Sequence, residues 1–200
     1  MQPTVLSYKI HTVAPYINWI YFFHAWGFQP KFAAIADIHG CDSCRAMWLT
    51  SFTEEDRPKA SEAMQLFKEA NRMLNQLDAV YQTHGVVNIM DANADGDDLL
   101  LNGKRFPLLR QQAAKLKKDD PFLCLSDFVR PLSSGITDKI GAFATTVDAE
   151  MEQLYAEDDY KRMLVQTLSD RLAEATAEKL HEDVRKKLWG YAPDENLSVK

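Results

Sequence analysis

An α+β domain built on an antiparallel sheet is what this sequence predicts, and three observations carry that prediction. Residues 157–190 run without proline, and without glycine until Gly190, which reads as one long helix. The segment Thr53–Gln82 places Ala63, Leu66, Phe67, Ala70, Met73, Leu74 and Leu77 on one stripe with charges opposite, the pattern of a helix with one buried face. Elsewhere the period shortens: Val86–Met90, Asp98–Leu101, Phe122–Leu125 and Ile140–Val147 read as strands on short links.

Taken in order, residues 1–14 read as mostly extended up to Pro15. Pro15–Gly27 then packs Trp19, Phe22, Phe23 and Trp26 at spacings of three and four, a short buried helix ended by Gly27. His24 beside that face reads as a packed or solvent-edge histidine. A second helical stretch is expected from Lys31 into IADIHGCDSCRAMWL. Within it His39, Cys41 and Cys44 bring three soft donors close together in sequence. They could hold zinc with a fourth donor, or do redox chemistry through the C-x-x-C pair, and the plainer reading is small thiols packed at a turn. Asp91, Asn93, Asp95, Gly96 and Asp97 match the opening of a calcium-binding EF-hand loop, yet Asn102 stands where the bidentate acid belongs and the flanks are strand-like, so a polar turn is expected. LLRQQAAKLKK, residues 108–118, reads as a short helix stopped by Asp119-Asp120-Pro121, Ser126–Phe128 as a turn, and Pro131–Gly135 as an irregular link.

The long helix carries its own polarity. Glu157, Asp158 and Asp159 sit at its start, Arg185, Lys186 and Lys187 at its end, and Gly190 and Pro193 close it, over about 50 Å at ~1.5 Å per residue. Leu164, Leu168, Leu172, Leu180, Val184 and Leu188 recur at multiples of four, a row that drifts by roughly 40° per step. The first half is therefore expected to bury one side and the second half another, with Ala173, Ala175 and Ala177 narrowing the middle. Asp170, Glu174, Glu178 and Glu182 form a carboxylate ladder in which each like pair costs about 0.2–0.5 kcal/mol. A solvated face relieved by Arg171, Lys179 and Arg185 accounts for it; acids awaiting a partner would account for it too.

Composition bounds the function. At 200 residues and 46 % hydrophobic, one domain over 1–200 with a sizeable core is expected. A formal net charge of −6 and a pI near 5.4 leave no electrostatic footprint for nucleic acid or an anionic membrane. No apolar run approaches the ~20 residues that span a bilayer, and the first residues lack a signal-peptide pattern. Three cysteines, an odd number, suggest a reducing compartment, and a cytoplasmic protein is expected.

Two stretches go beyond pattern. LSDFVRPLSSGITDKIGAFATTV, followed by DDYKRMLVQTLSDRLAEATAEKLHEDVRKKLWGYAPDENLS, resembles the C-terminal activation domain of cobalamin-dependent methionine synthase. INWIYFFHAWG, GVVNIMDANADGDDLLL and LRQQ at Leu109–Gln112 support the resemblance, which covers most of the chain apart from the H-x-C-x-x-C insertion. It implies a curved α+β domain with a central antiparallel sheet and a long C-terminal helix. It also implies a role in reactivation: S-adenosylmethionine is bound and its methyl group presented to cobalamin on the methionine synthase cobalamin-binding module, with a flavodoxin-type reductant supplying the electron. The chain would belong to a methyltransferase system and have no independent activity.

Residue by residue, the resemblance makes Asp170 and, in the loop after the TTV strand, Glu150 docking acids for the cobalamin-binding module. Glu174 borders the S-adenosylmethionine pocket. Asn18 stands where the family has an aspartate that holds the methionine amino group, so the charge-assisted part of that contact is lost. The family's R-P-A-P-G-Y-P segment, which supplies an arginine to the ligand, falls beyond Lys200, and a free-standing, C-terminally shortened homologue with a weakened hold on S-adenosylmethionine is expected. Two other functions fit the same residues: a non-catalytic binding or regulatory module that keeps the fold and has lost S-adenosylmethionine, and a metal- or redox-responsive protein using His39, Cys41 and Cys44.

Overall fold

The computed structural model of the chain describes residues 2–113 and 120–197. Strand β1 (Thr4–Lys9) leads into helices α1 (Ile10–Val13) and α2 (Trp19–Ala25), a 3₁₀ segment Pro30–Asp37, and helices α3 (Asp42–Thr50) and α4 (Arg57–Asp78). Strands β2 (Gln82–Asp95), β3 (Asp98–Leu101), β4 (Lys104–Phe106) and β5 (Asp138–Val147) follow, and then helix α5 (Asp159–Asp183). The sheet has five strands in the order β1-β2-β3-β4, and β5 pairs with β2 as well. The chain divides into two compact units, Leu6–Gly85 with Thr145–Lys200, and Met1–Val5 with Val86–Ala144.

The first unit is mainly helical and owns the large core. Ile10 and Val13 of α1, Phe22 and Phe23 of α2, Leu66, Ala70 and Leu74 of α4, and Leu164, Leu168 and Leu172 of α5 are buried in one cluster. α4 buries the predicted stripe, except that Phe67 is half-buried and packs edge-on against Trp19 with ring centroids 4.7 Å apart. Asn18 starts α2, its side-chain oxygen accepting the Ile20 amide at 3.1 Å, which satisfies one of the free donors at a helix start. The helix expected from Lys31 onward is broken: a 3₁₀ run ends at Asp37, and α3 begins only at Asp42. Gly40 and the cap residue Cys41 occupy the interruption.

α5 begins one residue after its cap, Asp158, whose carboxylate accepts the Lys161 amide at 3.0 Å. It passes into a wider π turn over Val184–Leu188 and stops at Gly190, with φ +74°. The expected change of buried side does not occur. Burial follows Leu164, Leu168 and Leu172 and then shifts to Ala175, Thr176, Leu180 and Asp183, while Val184 is half-buried and Leu188 exposed. At 100° per residue these buried positions keep within an arc of about 160°, one broad face, and a strict four-residue row leaves that arc at its last two members. Of the three alanines, Ala175 alone is buried.

The second unit is mostly sheet. β2 continues well past Met90, and its register with β3 pairs Asp95 with Asp98, so the turn is only Gly96-Asp97, with Gly96 at φ +62°. Asn102-Gly103 makes the next turn, both residues at positive φ, and β3 pairs antiparallel with β4. Two further expectations are corrected. Phe122–Leu125 is not a strand: its amides are taken by Gln111 and Asp127 side chains, and a 3₁₀ turn over Leu125–Phe128 follows. Leu108–Ala113 is not helical, and the rest of that expected helix lies outside the described residues.

Candidate functional site

The middle of α5 faces α2, and one side chain links them. The Arg171 guanidinium lies 5.8 Å from the centre of the Tyr21 ring and donates to Glu174 Oε2 at 2.9 Å. Arg171 is 16 % exposed along its side chain and Glu174 58 %, so the arginine stem is packed while the carboxylate faces solvent. Asp170, immediately before Arg171, is exposed and has no hydrogen bond or ion pair among the described residues; Glu178 is the same. The fourth rung of the ladder differs. Glu182 accepts the Tyr16 hydroxyl and the Lys186 ammonium, the latter at 2.7 Å; these two, the lysine foremost, bring its carboxyl down to about 2. Burial, and then Glu182, push Tyr16 up to about 12. The ladder is therefore not one solvated face: its C-terminal end is built into the fold and its start is open.

Next to Glu182, Asp183 is buried, and it accepts the Tyr8 hydroxyl at 2.9 Å, Lys179 at 2.9 Å and Lys187 at 3.0 Å. Burial raises this carboxyl, and Lys179, Lys187 and Tyr8 more than reverse that, leaving it below its ordinary value. Glu150 is exposed on a 3₁₀ turn, Ala149–Gln153, that packs against α5 through the fully buried Met151. Asn18 is exposed at the start of α2, one turn before Tyr21, and its oxygen is engaged in the cap described above. His24 is exposed on α2.

A second cluster forms at the break before α3. His39, Cys41 and Cys44 hold their donor atoms within 4.8 Å of one another, and all cysteines are free. Cys41 Sγ caps α3, accepting the Cys44 amide at 3.3 Å, with Cys44 Sγ at 2.7 Å and Ser43 Oγ at 3.3 Å. Hydrogen bonds from Cys44 first, then Ser43 and His39, bring the Cys41 thiol down to about 6, and the same contact pushes Cys44 up.

The calcium-like acids do not form a cation site. Lys139 holds Asp91 at 2.7 Å, Arg105 holds Asp95 at 2.5 Å and Asp98 at 2.6 Å, and Arg110 holds Asp97 at 2.7 Å. Arg110 also grips both oxygens of Asp127 and the Phe122 carbonyl, and with the Cys124 amide brings the Asp127 carboxyl down to about 2.

Three arrangements have no local signature in the sequence. Arg171 over Tyr21 joins two helices far apart in the chain. Ser7 Oγ lies 2.9 Å from His84 Nδ1, and His84 Nε2 lies 2.7 Å from Asp148 Oδ1, a relay between residues 64 or more positions apart. A cavity of about 440 Å³ is lined by Arg45, Phe67, Lys68, Asn71, Arg72 and Asn75, and includes none of Asn18, Glu150, Asp170 or Glu174.

The fold has a known counterpart. The family model for the vitamin B12 dependent methionine synthase activation domain matches residues 9–200, and the chain belongs to that family. It is also similar to a crystal structure of the MetH reactivation domain bound to AdoHcy, with 37 % identity and a TM-score of 0.80. The match covers 100 % of this chain and 60 % of that one, so this chain spans 60 % of the length of the solved structure. The α+β fold with its antiparallel sheet and long C-terminal helix is the fold of that domain.

Proposed function

We propose that the chain, acting over residues 1–200 as one functional domain, supports reactivation of a cobalamin-dependent methionine synthase by docking on its cobalamin-binding module and presenting S-adenosylmethionine there. The observation that carries this reading is Asp170: an exposed carboxylate without a partner among the described residues, on the same helix face as Glu174. Such a group is available for a charge-assisted hydrogen bond to a donor on another protein. Glu150, exposed beside α5, would extend the docking edge. Glu174, held in place by Arg171 over Tyr21, would border the ligand.

Bound S-adenosylmethionine supplies the methyl group, and a flavodoxin-type reductant the electron. The chain's part is placement, which lowers the barrier by fixing donor and acceptor in reach of each other. This work belongs in the cytoplasm, and no helix among the described residues is long and apolar enough to cross a membrane.

Isothermal titration against a cobalamin-loaded methionine synthase module tests the reading. Hydrogen bonds to charged groups contribute about 1.5–3 kcal/mol, so Asp170→Asn should weaken docking by about 10- to 100-fold with an unchanged Tm. No binding by the unaltered chain, or full binding by Asp170→Asn, would end it. One observation favours a second reading, a binding module without the methyl donor: the Asn18 oxygen already serves the helix cap. Titration with S-adenosylmethionine separates the two. The first reading expects binding that tightens in Asn18→Asp and weakens in Glu174→Gln; the second expects docking with no S-adenosylmethionine bound.

A further inference from the structure

The break between the 3₁₀ segment and α3 places His39, Cys41 and Cys44 together in a way that neither the docking face nor the core uses. We propose that these three side chains bind a zinc ion, leaving its fourth coordination position to water or an exogenous donor. A tetrahedral site with Zn–S near 2.3 Å and Zn–N near 2.0–2.1 Å puts donors roughly 3.5–3.8 Å apart. The three donor atoms already lie within 4.8 Å of one another, so one ion can touch all of them with small side-chain rotations. The two sulfurs, now 2.7 Å apart, need to separate by roughly 1 Å. Both cysteines are only half-buried and His39 is exposed, so the surroundings permit that movement.

The local backbone suits a bound thiolate. Cys41 Sγ receives the Cys44 amide at 3.3 Å, and Ser43 Oγ lies at the same distance, two contacts that orient a ligand from outside the metal's own shell. Two thiolates and a neutral imidazole cancel the charge of a divalent ion, which suits a surface carrying Arg45 next to Cys44. No carboxylate joins the cluster among the described residues; Asp42 faces solvent and approaches Arg45 at 3.7 Å. Sulfur-rich donors select zinc over magnesium or calcium. Three protein ligands with one open position are the pattern of a site that exchanges its fourth ligand, in contrast to a closed structural site.

Cobalt and zinc titration of the reduced, purified chain tests this without any methionine synthase partner. Cobalt should saturate at one ion per chain, with thiolate-to-metal charge-transfer absorption and the intense visible bands of tetrahedral coordination, and zinc should displace it. Loss of a group that only orients a ligand weakens a metal by about 10- to 100-fold, so Cys41→Ser and Cys44→Ser should each weaken zinc by more than about 100-fold and lower the charge-transfer absorption, which the Cys41→Ser/Cys44→Ser double variant should abolish. His39→Ala should weaken binding less, and Cys124→Ser, a buried thiol elsewhere, should leave it unchanged. Far-UV circular dichroism checks that each variant is folded. The proposal is overturned if the reduced chain takes up no cobalt, if Cys41 and Cys44 close a disulfide whose reduction restores no metal binding, or if a Cys41→Ser/Cys44→Ser double variant holds zinc as tightly as the unaltered chain.

Discussion

In the helical unit Phe22, Phe23, Leu168 and Leu172 are sealed from solvent, inside a cluster that draws on five helices and turns. In the sheet unit the buried apolar residues among those described are Val87, Ala92, Ala94, Leu99 and Cys124, while Leu109, Leu125 and Phe128 are exposed at 82 %, 69 % and 73 %. What the sheet unit has instead is cations holding its corners: Arg105 across the hairpin from Asp95 and Asp98, Lys139 on Asp91, and Arg110 joining Asp97, Asp127 and the Phe122 carbonyl. Apolar burial scales with area and involves no charge to screen or protonate, whereas exposed ion pairs are screened by salt and titrate. The two units should therefore respond to different insults.

The largest effect is expected in the helical core. Phe22→Ala should cost about 3–5 kcal/mol, read as a lower urea midpoint, while Leu99→Ala in the sheet unit should cost about 2 kcal/mol, because its thinner surroundings can collapse into the space. Equal losses would break the contrast. A smaller effect is expected at Gly85, where an added Cβ would lie 3.2 Å from Leu180 Cδ2 and Leu180 is fully buried. Gly85→Ala should cost about 1 kcal/mol by overpacking; an unchanged midpoint would show that Leu180 can shift.

Arg110→Ala sharpens the comparison from the other side. It should leave the global midpoint nearly unchanged but speed hydrogen exchange at the Cys124 and Asp127 amides, and high salt should imitate it in the unaltered chain. The pH dependence follows from the depressed Asp127 carboxyl. Its stabilisation is fully present above the unfolded value near 4 and is lost as pH falls towards about 2, where the folded group protonates. In Arg110→Ala, NMR titration should find Asp127 moved back up towards the ordinary carboxylate range. The smallest effect belongs to Asp170→Asn, which should stay within about 0.5 kcal/mol of the unaltered chain, since the carboxylate touches nothing among the described residues.

The same contrast explains what the sequence disclosed. Periodic signals survived: the stripe of α4, the acid start and glycine stop of α5, and the aromatic spacing of α2 are local patterns that burial reinforces. Signals depending on distant partners did not. The ladder is uniform in sequence, but Tyr16, far back in the chain, ties half-buried Glu182 into the fold and Asp170 stays outside, while Tyr8 takes the buried neighbour Asp183. Phe122–Leu125 has strand-forming residues, yet Gln111 and Asp127 take its amides. The second turn, Asn102-Gly103, is a dipeptide that favours positive φ at both positions, and the fold uses it so. Of the candidate site, the motif residues Asp170 and Glu174 came from the sequence, while Arg171 over Tyr21 required the fold.

The Tyr8 hydroxyl meets Asp183 across 175 positions of chain, and the helical unit is assembled from segments on both sides of the sheet unit. During synthesis at about 5–20 residues per second, α1, α2 and α4 would emerge some 5–20 s before α5 arrives to cover them. The β3–β4 hairpin, by contrast, can close as soon as it leaves the ribosome. A nascent chain halted before α5 should thus be a strong client for chaperones that grip apolar surface, and should release them only once that helix is made.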